Sequence, residues 1–352
     1  MQNFHQFSLK EFTIWCEAHG EKSFRAKQVW EWVYQKLVPS WDLMTNIGLG
    51  FRQLLAEHFS LQSLQLESTQ ESKDQQTVKF LWKLEDGKLV ESVLIFAPGR
   101  RTVCVSSQVG CPARCAFCAS GKEGLLRNLS RVEIFEQVYL IEKWLVHQAK
   151  EERVSNIVYM GMGEPLENYD EVVSSVSWFC DPLRFDFSGR KITISTVGVV
   201  EGIYKLMESD LKVNLVLSLH APNQHVRKKI IPYARKYALE DVLEAMRKYA
   251  HTTKRDITYE YTLIAGINDE VGHAEELAIL VKGDPCTVNL IPYNPVEGLH
   301  LQRPEKEVID LFRQTLEERG VVVTWRYTKG KDIAAACGQL ALKKTSALAL
   351  IE

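Results

Sequence analysis

The chain has 352 residues, of which 45% are hydrophobic and 25% charged, and its formal net charge is −2. This is the composition of a globular protein with room for one large domain and one smaller domain. The near-neutral charge excludes a chain that binds polyanions over its whole surface. No apolar run approaches the roughly 20 residues that span a bilayer, and the first residues show no secretory pattern. We therefore expect a cytoplasmic protein without a membrane partner.

The first 60 residues show the periodicity of short helices, and we predict that residues 1–60 form a small accessory helical domain. Trp30, Trp32 and Tyr34 have rings that could stack on bases, although packing in a core is the commoner role of such side chains. The polar segment at 66–76, LESTQESKDQQ, is typical of a linker. Residues 77–96 then alternate apolar and polar side chains around Asp86 and Gly87, which predicts a β-hairpin with a two-residue turn. We assign residues 61–99 to this linker and hairpin.

From residue 101 onward, short segments rich in β-branched residues alternate with helical patterns. Ser130 and Glu133 form a capping-box pattern ahead of one helix, and Gly320 is a typical stop for another. Strands that alternate with helices predict an α/β fold with a mainly parallel sheet. Six or seven such units favour a partial or full (β/α) barrel, which we assign to residues 100–345.

Small and polar residues follow several of these predicted strands. In parallel barrels the carboxyl ends of the strands carry the functional site, so these residues should meet there. Gly161 and Gly163 resemble the start of a dinucleotide-binding fingerprint, but Leu166 stands where the third glycine belongs. The two glycines are better explained by a ligand that approaches the backbone closely. The side chains that this argument brings to the barrel mouth are Ser195, Ser218, His220 and Asn294.

Three cysteines, Cys111, Cys115 and Cys118, have the spacing Cys-x3-Cys-x2-Cys. Three neighbouring thiolates without a matching fourth ligand favour an iron–sulfur cluster with one iron open to substrate. A zinc site remains an alternative, although zinc usually takes a second pair of ligands. Ordinary packed cysteines are the third possibility.

Two segments are much more basic than the chain as a whole. Residues 100–131 contain six lysines or arginines and one acid, and residues 225–256 contain nine and four. The first segment surrounds the cysteine triplet. Because local positive charge attracts phosphate groups, these segments favour a polyanionic substrate such as a nucleic acid.

Together with the cysteine triplet, the segments YMGMGEPL, ISTVG, LSLHAPN, NLIPYNP and AACGQL resemble the RlmN/Cfr family of radical S-adenosylmethionine enzymes, which methylate adenosine in RNA. The resemblance extends over nearly the whole chain, to Leu340, and it implies that the accessory domain of residues 1–60 contacts RNA. It implies a radical S-adenosylmethionine partial barrel with a [4Fe-4S] cluster and two molecules of S-adenosyl-L-methionine per turnover. It also implies that the enzyme methylates carbon 2 of an adenosine in 23S rRNA and of the adenosine 3′ of the anticodon in tRNA.

The resemblance assigns roles to individual residues of this chain. Cys337 would receive a methyl group from the first S-adenosylmethionine and would then bond to adenine as a methylene radical. Glu91 would accept the proton, and Cys104 would attack Cys337 to release the product as a Cys104–Cys337 disulfide forms. Cys111, Cys115 and Cys118 would hold the cluster. The positions that match the S-adenosylmethionine site are Gly163, Glu164, Ser195, Ser218, Leu219, His220 and Asn294.

Three alternatives stay open at this point. A sister group of the Cfr type methylates carbon 8 of adenosine, but Val109 and Pro165 look more like the carbon-2 enzymes. A non-catalytic RNA-binding module with structural zinc and a radical methyltransferase with another substrate are the other two. For the main hypothesis we expect 23S rRNA and tRNA as partners, a flavodoxin-type reductase system as electron donor, and a monomer.

Overall fold

A computed structural model describes residues 1–148, 152–325 and 329–341. The N-terminal region contains the predicted short helices, α1 (Leu9–Ala18), α2 (Ser23–Tyr34) and α3 (Leu49–His58). Two short strands, β1 (Gln2–Asn3) and β2 (Phe59–Ser60), pair in parallel and close this region on itself.

Aromatic side chains form the core of the N-terminal region. The rings of Phe4 and Phe12 lie 4.8 Å apart, edge to face, and Trp30 and Tyr34 are buried beside them. Trp32 is half-buried, and its indole nitrogen donates to the Asn46 side chain at 2.5 Å. Trp30 and Tyr34 therefore belong to the packed core and offer no face on which a base could stack.

The polar segment that we predicted to be a linker is partly a strand. Residues 65–71 form β3 (Gln65–Glu71), which pairs antiparallel with β4 (Thr77–Lys83) at the edge of a sheet. The side chains of β3 are exposed or half-buried, so the strand can form without the apolar residues that usually mark one. The linker prediction is wrong here because backbone pairing does not depend on apolar side chains.

The predicted hairpin is present, formed by β4 and β5 (Leu89–Ala97). Its turn is longer than the predicted two residues. The Leu84 N–H donates to the Lys88 carbonyl at 2.8 Å, and the Gly87 N–H donates to the Leu84 carbonyl at 2.9 Å. Gly87 has φ +80°, so the loop is a turn followed by a left-handed glycine, the usual three-residue hairpin connection.

Strands and helices alternate from residue 100 onward, as predicted. The strands are β6 (Arg100–Cys104), β7 (Gln108–Gly110), β8 (Leu125–Asn128), β9 (Asn156–Tyr159), β10 (Ile192–Thr196), β11 (Asn214–Ser218), β12 (Ile257–Leu263), β13 (Cys286–Pro292) and β14 (Val323–Trp325). The helices are α4 (Arg131–His147), α5 (Tyr169–Cys180), α6 (Val200–Glu208), α7 (Gln224–Ile230), α8 (Leu239–Thr253), α9 (Val271–Leu280) and α10 (Lys306–Glu318). The predicted capping box of Ser130 and Glu133 starts α4.

Within the described residues, the main sheet has ten strands in the order β14-β13-β12-β11-β10-β9-β6-β5-β4-β3. From β6 to β14 the strands are parallel, and each new strand joins the same edge in chain order. An open, doubly wound sheet would instead reverse its strand order near the middle. The order confirms a barrel-like α/β fold and brings the carboxyl ends of the parallel strands to one side.

Two buried charged side chains join the N-terminal region to the barrel. Glu136 on α4 accepts hydrogen bonds from the backbone N–H groups of Ser63 and Leu64. The Arg184 guanidinium donates to the carbonyls of His5 and Phe7 at 3.1 and 2.7 Å. None of the helices in the described part of the chain combines the length and apolar character that a bilayer span requires.

Candidate active site

A cavity of about 120 Å³ lies at the carboxyl ends of the parallel strands. The structure brings most of the predicted site residues together on its wall. They are Cys111, Cys115, Cys118, Gly163, Glu164, Ser195, Ser218, His220, Asn294 and Cys337. Residues that are more than 200 positions apart in the sequence thus line one cavity.

The cysteine triplet lies on a loop that backbone contacts hold closed. The Cys111 N–H donates to the Gly124 carbonyl at 3.0 Å, and the Cys118 N–H donates to the Cys115 carbonyl at 3.1 Å. Gly110 has φ +77°, and a Cβ added there would lie 1.9 Å from the Gly124 oxygen. The closed loop therefore requires glycine at position 110.

The donor set of this loop fits a thiolate-bound cluster. All three thiols line the same cavity, and burial raises the pKa of Cys111 to about 12. Burial also raises the pKa of the Cys115 thiol well above its usual value, and the Arg227 guanidinium offsets only part of this rise. Among the described residues, no group of three or more His, Cys, Asp or Glu side chains has the arrangement that holds a single metal ion. The fit to the cluster rests on three soft thiol ligands that share one cavity with a buried cation nearby.

The turn after β9 approaches the cysteine side of the barrel closely. A Cβ on Gly161 would lie 2.6 Å from the Val105 carbonyl oxygen, and Gly163 has φ +107°. The Glu164 carboxylate accepts from the Val197 N–H at 2.8 Å and from the Leu166 N–H at 3.1 Å. Burial raises the pKa of Glu164 to about 7. The two glycines let the turn pack against the end of β6, and the backbone donors fix the Glu164 side chain.

Arg227 is a site residue that the sequence analysis missed. It is fully buried, and its guanidinium donates to the carbonyls of Val197, Leu219 and Ser218 at 2.6, 3.2 and 3.3 Å. These carbonyls follow or end β10 and β11, so one side chain ties two strand ends together. Burial lowers its pKa to about 10.

His220 occupies the end of β11 in the left-handed region, with φ +54°. Its Nδ1 accepts from the Thr262 N–H at 2.9 Å, so the proton of the neutral ring is on Nε2. Burial lowers its pKa to about 3, and the Phe117 ring packs edge-on at 4.8 Å. Asn268, which we did not predict, donates to the His220 carbonyl at 2.7 Å. His220 is thus a fixed, neutral group.

Leu219 does not line the cavity, although the resemblance placed it among the S-adenosylmethionine positions. Its side chain is fully buried in the core, and its N–H donates to the Glu260 carbonyl at 3.1 Å. Ser195 and Ser218, in contrast, line the cavity, and their hydroxyls lie 3.2 Å apart on adjacent strands. Leu219 therefore contributes its backbone, which connects β11 to β12 and to Arg227.

A second cavity, of about 390 Å³, adjoins the first. Cys104, at the end of β6, lines the second cavity, together with Arg100, Trp325 and Lys329. Cys337 lines both cavities. The structure thus brings Cys104 and Cys337 to one cavity and Cys337 and the cysteine triplet to the other.

Residues 335–341, which we call the C-terminal segment, carry Cys337 between the two cavities. Residues of other elements bind the carbonyls of this segment. The donors are the Ala119 N–H to Gly338 at 2.8 Å, the Ser120 hydroxyl to Leu340 at 2.7 Å and the Asn294 amide to Cys337 at 3.3 Å. Cys337 itself is exposed. The cysteine loop and the chain after β13 therefore hold the segment in place.

Glu91 lies on β5 and lines a third cavity, of about 280 Å³. Its Oε2 accepts from the Ala341 N–H at 2.9 Å, and its Oε1 forms an ion pair with the Lys79 ammonium at 2.9 Å. Glu91 is not among the residues that line the two cavities of Cys337. It is joined to them through Ala341, at the end of the C-terminal segment.

Two family models match parts of the chain. Residues 2–61 match the ribosomal RNA large subunit methyltransferase N-terminal domain, and residues 105–278 match the radical SAM superfamily. The second family implies S-adenosylmethionine and a [4Fe-4S] cluster as cofactors.

Curated relatives and a solved structure match almost the full length. A probable dual-specificity RNA methyltransferase, RlmN 2, of Protochlamydia amoebophila is 60% identical over 342 residues, which cover 97% of this chain and 95% of the relative. A probable dual-specificity RNA methyltransferase, RlmN, of Staphylococcus aureus is 43% identical and covers 97% and 93%. A crystal structure of a radical SAM methyltransferase from Sphaerobacter thermophilus has 39% identity and a TM-score of 0.93, and covers 97% and 100%. The chain therefore belongs to the RlmN family of radical S-adenosylmethionine RNA methyltransferases.

Proposed function

We propose that this RNA methyltransferase transfers a methyl group to carbon 2 of an adenosine in 23S rRNA and to carbon 2 of the adenosine 3′ of the anticodon in tRNA. The names of the relatives, which are dual-specificity RNA methyltransferases, support the two classes of RNA. The observation that carries the proposal is the position of Cys337, which lines both the cavity of the cysteine triplet and the cavity of Cys104. A thiol that first receives a methyl group and later releases the methylated base must have access to the cavity of the cysteine triplet and to the cavity of Cys104.

Cys111, Cys115 and Cys118 would hold the cluster, and Glu164, Ser195, Ser218, His220 and Asn294 line the space for S-adenosylmethionine. When bound, the cluster supplies the electron that cleaves S-adenosylmethionine reductively. The chain contributes orientation: Arg227 and Asn268 hold the backbone at the strand ends that carry these residues, and the Val197 N–H holds the Glu164 side chain.

Carbon 2 of adenine is not a nucleophile and cannot attack a sulfonium methyl group by ordinary displacement. A thiolate can. In our proposal the Cys337 thiolate displaces the methyl group of a first S-adenosylmethionine and becomes S-methylcysteine, and S-adenosylhomocysteine leaves.

A second molecule of S-adenosylmethionine is consumed in each turnover: the deoxyadenosyl radical from its cleavage takes one hydrogen atom from the S-methyl group, and the carbon radical that remains bonds to carbon 2 of adenine. The adduct loses one electron, for which the cluster would be the acceptor, and Glu91 accepts the proton from carbon 2. The Cys104 thiolate then attacks the Cys337 sulfur: the sulfur–sulfur bond forms, the sulfur–carbon bond breaks, and the methylene carbon keeps the electron pair and takes up a proton to give the methyl group. The disulfide is left for an external reductant.

The proposal includes a flavodoxin-type reductase system as the source of electrons, a monomeric enzyme and action in the cytoplasm. The experiment that tests it uses protein reconstituted anaerobically with iron and sulfide. We would incubate it with S-adenosylmethionine, reductant and either a protein-free 23S rRNA fragment or tRNA, and identify the methylated adenosines by mass spectrometry. We expect 2-methyladenosine in both RNAs. 8-Methyladenosine would assign the chain to the Cfr type, and cleavage of S-adenosylmethionine without a methylated base would reject both RNAs as substrates.

Two cysteine variants test the separate roles of Cys337 and Cys104. Cys337→Ala should abolish methylation of RNA and leave no methylated cysteine in the peptide that spans position 337. Cys104→Ala should still become methylated at Cys337 and should accumulate RNA that stays bound to protein under denaturing conditions. Cys286→Ala is the control because Cys286 lies at the amino end of β13, outside the three cavities. Equal activity of Cys104→Ala and Cys286→Ala would contradict the assignment of Cys104.

A further inference from the structure

Lys79 and Glu91 form an ion pair inside the hairpin of β4 and β5. The Lys79 Nζ and the Glu91 Oε1 are 2.9 Å apart, and the side chains are only 7% and 4% exposed. On the same hairpin, Lys88 and Asp86 form an ion pair of the same length with side chains that are 39% and 36% exposed. The two pairs therefore differ in solvation and not in distance.

Desolvation makes the buried pair an expensive way to stabilise a hairpin. Two apolar side chains of similar size usually stabilise such a position equally well, because burying two charges costs about as much as their attraction returns. A buried carboxylate whose partner is removed, in contrast, is strongly destabilised as an ion. The buried pair is therefore better explained by the effect of Lys79 on the charge of Glu91 than by a gain in stability.

The other charged side chains around Glu91 come from different elements. Lys122 and Glu123 follow the cysteine loop, and Glu297 follows β13; all three line the cavity of Glu91. The Lys122 ammonium is engaged with the Glu297 carbonyl. Burial raises the pKa of Glu91, and Lys79 is the charged residue that lowers it, aided by the Ala341 N–H. Lys79 is thus the charged group that offsets part of the effect of burial on the pKa of Glu91.

We propose that Lys79 is a positioning residue that keeps Glu91 ionised and fixed in its desolvated cavity, so that a carboxylate is ready to take the proton from carbon 2 of the bound adenine. This inference rests on the proposed function. In the step that it serves, the adduct loses one electron, for which the cluster would be the acceptor, the bond between carbon 2 and hydrogen breaks with its electron pair returning to the ring, and an O–H bond forms on Glu91. Lys79 does not touch the substrate in this scheme; it acts through Glu91.

The test compares Lys79→Met, Lys79→Arg and the control Lys88→Met. Methylation of Cys337 should be the same in all three, because it does not use Glu91. In Lys79→Met, methylation of saturating RNA should fall about tenfold at pH 7, and its acid limb should move to higher pH by at least about two units, because a carboxylate that is ionised at pH 7 must become about nine-tenths protonated. Activity should recover as the pH rises. Lys79→Arg should restore most of the activity at pH 7, and Lys88→Met should match the wild type.

A second measurement does not depend on RNA. The infrared band of a protonated carboxylic acid, taken as a difference from the Glu91→Gln background, should be absent at pH 7 in the wild type and present in Lys79→Met. The same spectrum in both proteins, or the same pH profile in Lys79→Met and Lys88→Met, would overturn the role of Lys79. A wild-type enzyme that produces no 2-methyladenosine would overturn the proposed function, while the infrared comparison would still decide whether Lys79 controls the charge of Glu91.

Discussion

The barrel wall and the C-terminal segment both contribute residues to the candidate active site, but different kinds of contact hold them in place. On the barrel wall, buried side chains such as Arg227 and Glu164 hold the ends of neighbouring strands through hydrogen bonds to backbone groups. The C-terminal segment is bound mainly through its own carbonyls, and its functional thiol, on Cys337, is exposed.

The two parts differ in the kind of contact that holds them. In the C-terminal segment, Ala335, Ala336 and Leu340 are buried, and each hydrogen bond to a carbonyl of the segment contributes about 1 kcal/mol. In the barrel wall, buried charged side chains bind backbone groups, and removing one of them leaves several buried carbonyls without a donor. We therefore expect changes in the barrel wall to reduce the free energy of unfolding more than changes in the segment.

The largest loss of stability should result from a substitution in the barrel wall. Arg227→Met leaves the carbonyls of Val197, Ser218 and Leu219 without their donor, and we expect the free energy of unfolding to fall by about 3 kcal/mol. Binding of S-adenosylmethionine should weaken with it. Denaturant titration of the variant and calorimetry would measure both. Arg235→Met, at an exposed position nearby, should change stability by less than about 0.5 kcal/mol, and equal effects of the two variants would contradict the comparison.

The free energy of unfolding should depend on pH through Glu164, a buried residue of the barrel wall. Its pKa is about 7 in the folded protein and 4.5 ordinarily, so the folded protein retains a proton that the unfolded chain loses in this range. The free energy of unfolding should therefore fall by up to about 3 kcal/mol as the pH rises from the ordinary pKa to the folded one. Glu164→Gln should remove this slope, and the exposed control Glu208→Gln should keep it. Urea titrations across the range would show whether the slopes differ.

A smaller effect on stability is expected in the C-terminal segment. Ser120→Ala removes the hydroxyl that donates to the Leu340 carbonyl, and we expect about 1 kcal/mol of lost stability. Hydrogen exchange should rise selectively in residues 335–341, and RNA methylation should fall several-fold. Ser177→Ala removes an exposed hydroxyl within α5 and should change neither quantity. Exchange that rises equally in the barrel strands would contradict a contact that acts only on the segment.

The smallest effect should come from the exposed end of the hairpin. Lys88→Met breaks an ion pair with Asp86 that solvent screens, so the free energy of unfolding should change by no more than about 0.5 kcal/mol. Thermal unfolding of this variant gives the baseline for the other changes. A loss as large as that of Arg227→Met would show that burial does not decide the strength of these contacts.

The sequence predicted the site wherever a local pattern carries the chemistry. The cysteine triplet and the residues at the strand ends were found because spacing and strand periodicity are local properties. Arg227 was missed because it stands in a basic run with Lys228 and Lys229, and only the orientation of α7 buries the first and exposes the other two. The cavity of Glu91 could not be predicted either, since it depends on contacts between residues 250 positions apart.

The outer edge of the sheet has a consequence for association between molecules. Strand β3 is the last strand of the sheet among the described residues, and an edge strand in many sheets invites a second copy to add a strand. Here Glu67 and Glu71 are exposed along that edge, and a register shift between Leu66 and Ser68 interrupts its regularity. Like charges would face each other if two such edges paired. The polar strand that looks like a linker in the sequence thus protects a long open sheet from edge-to-edge aggregation.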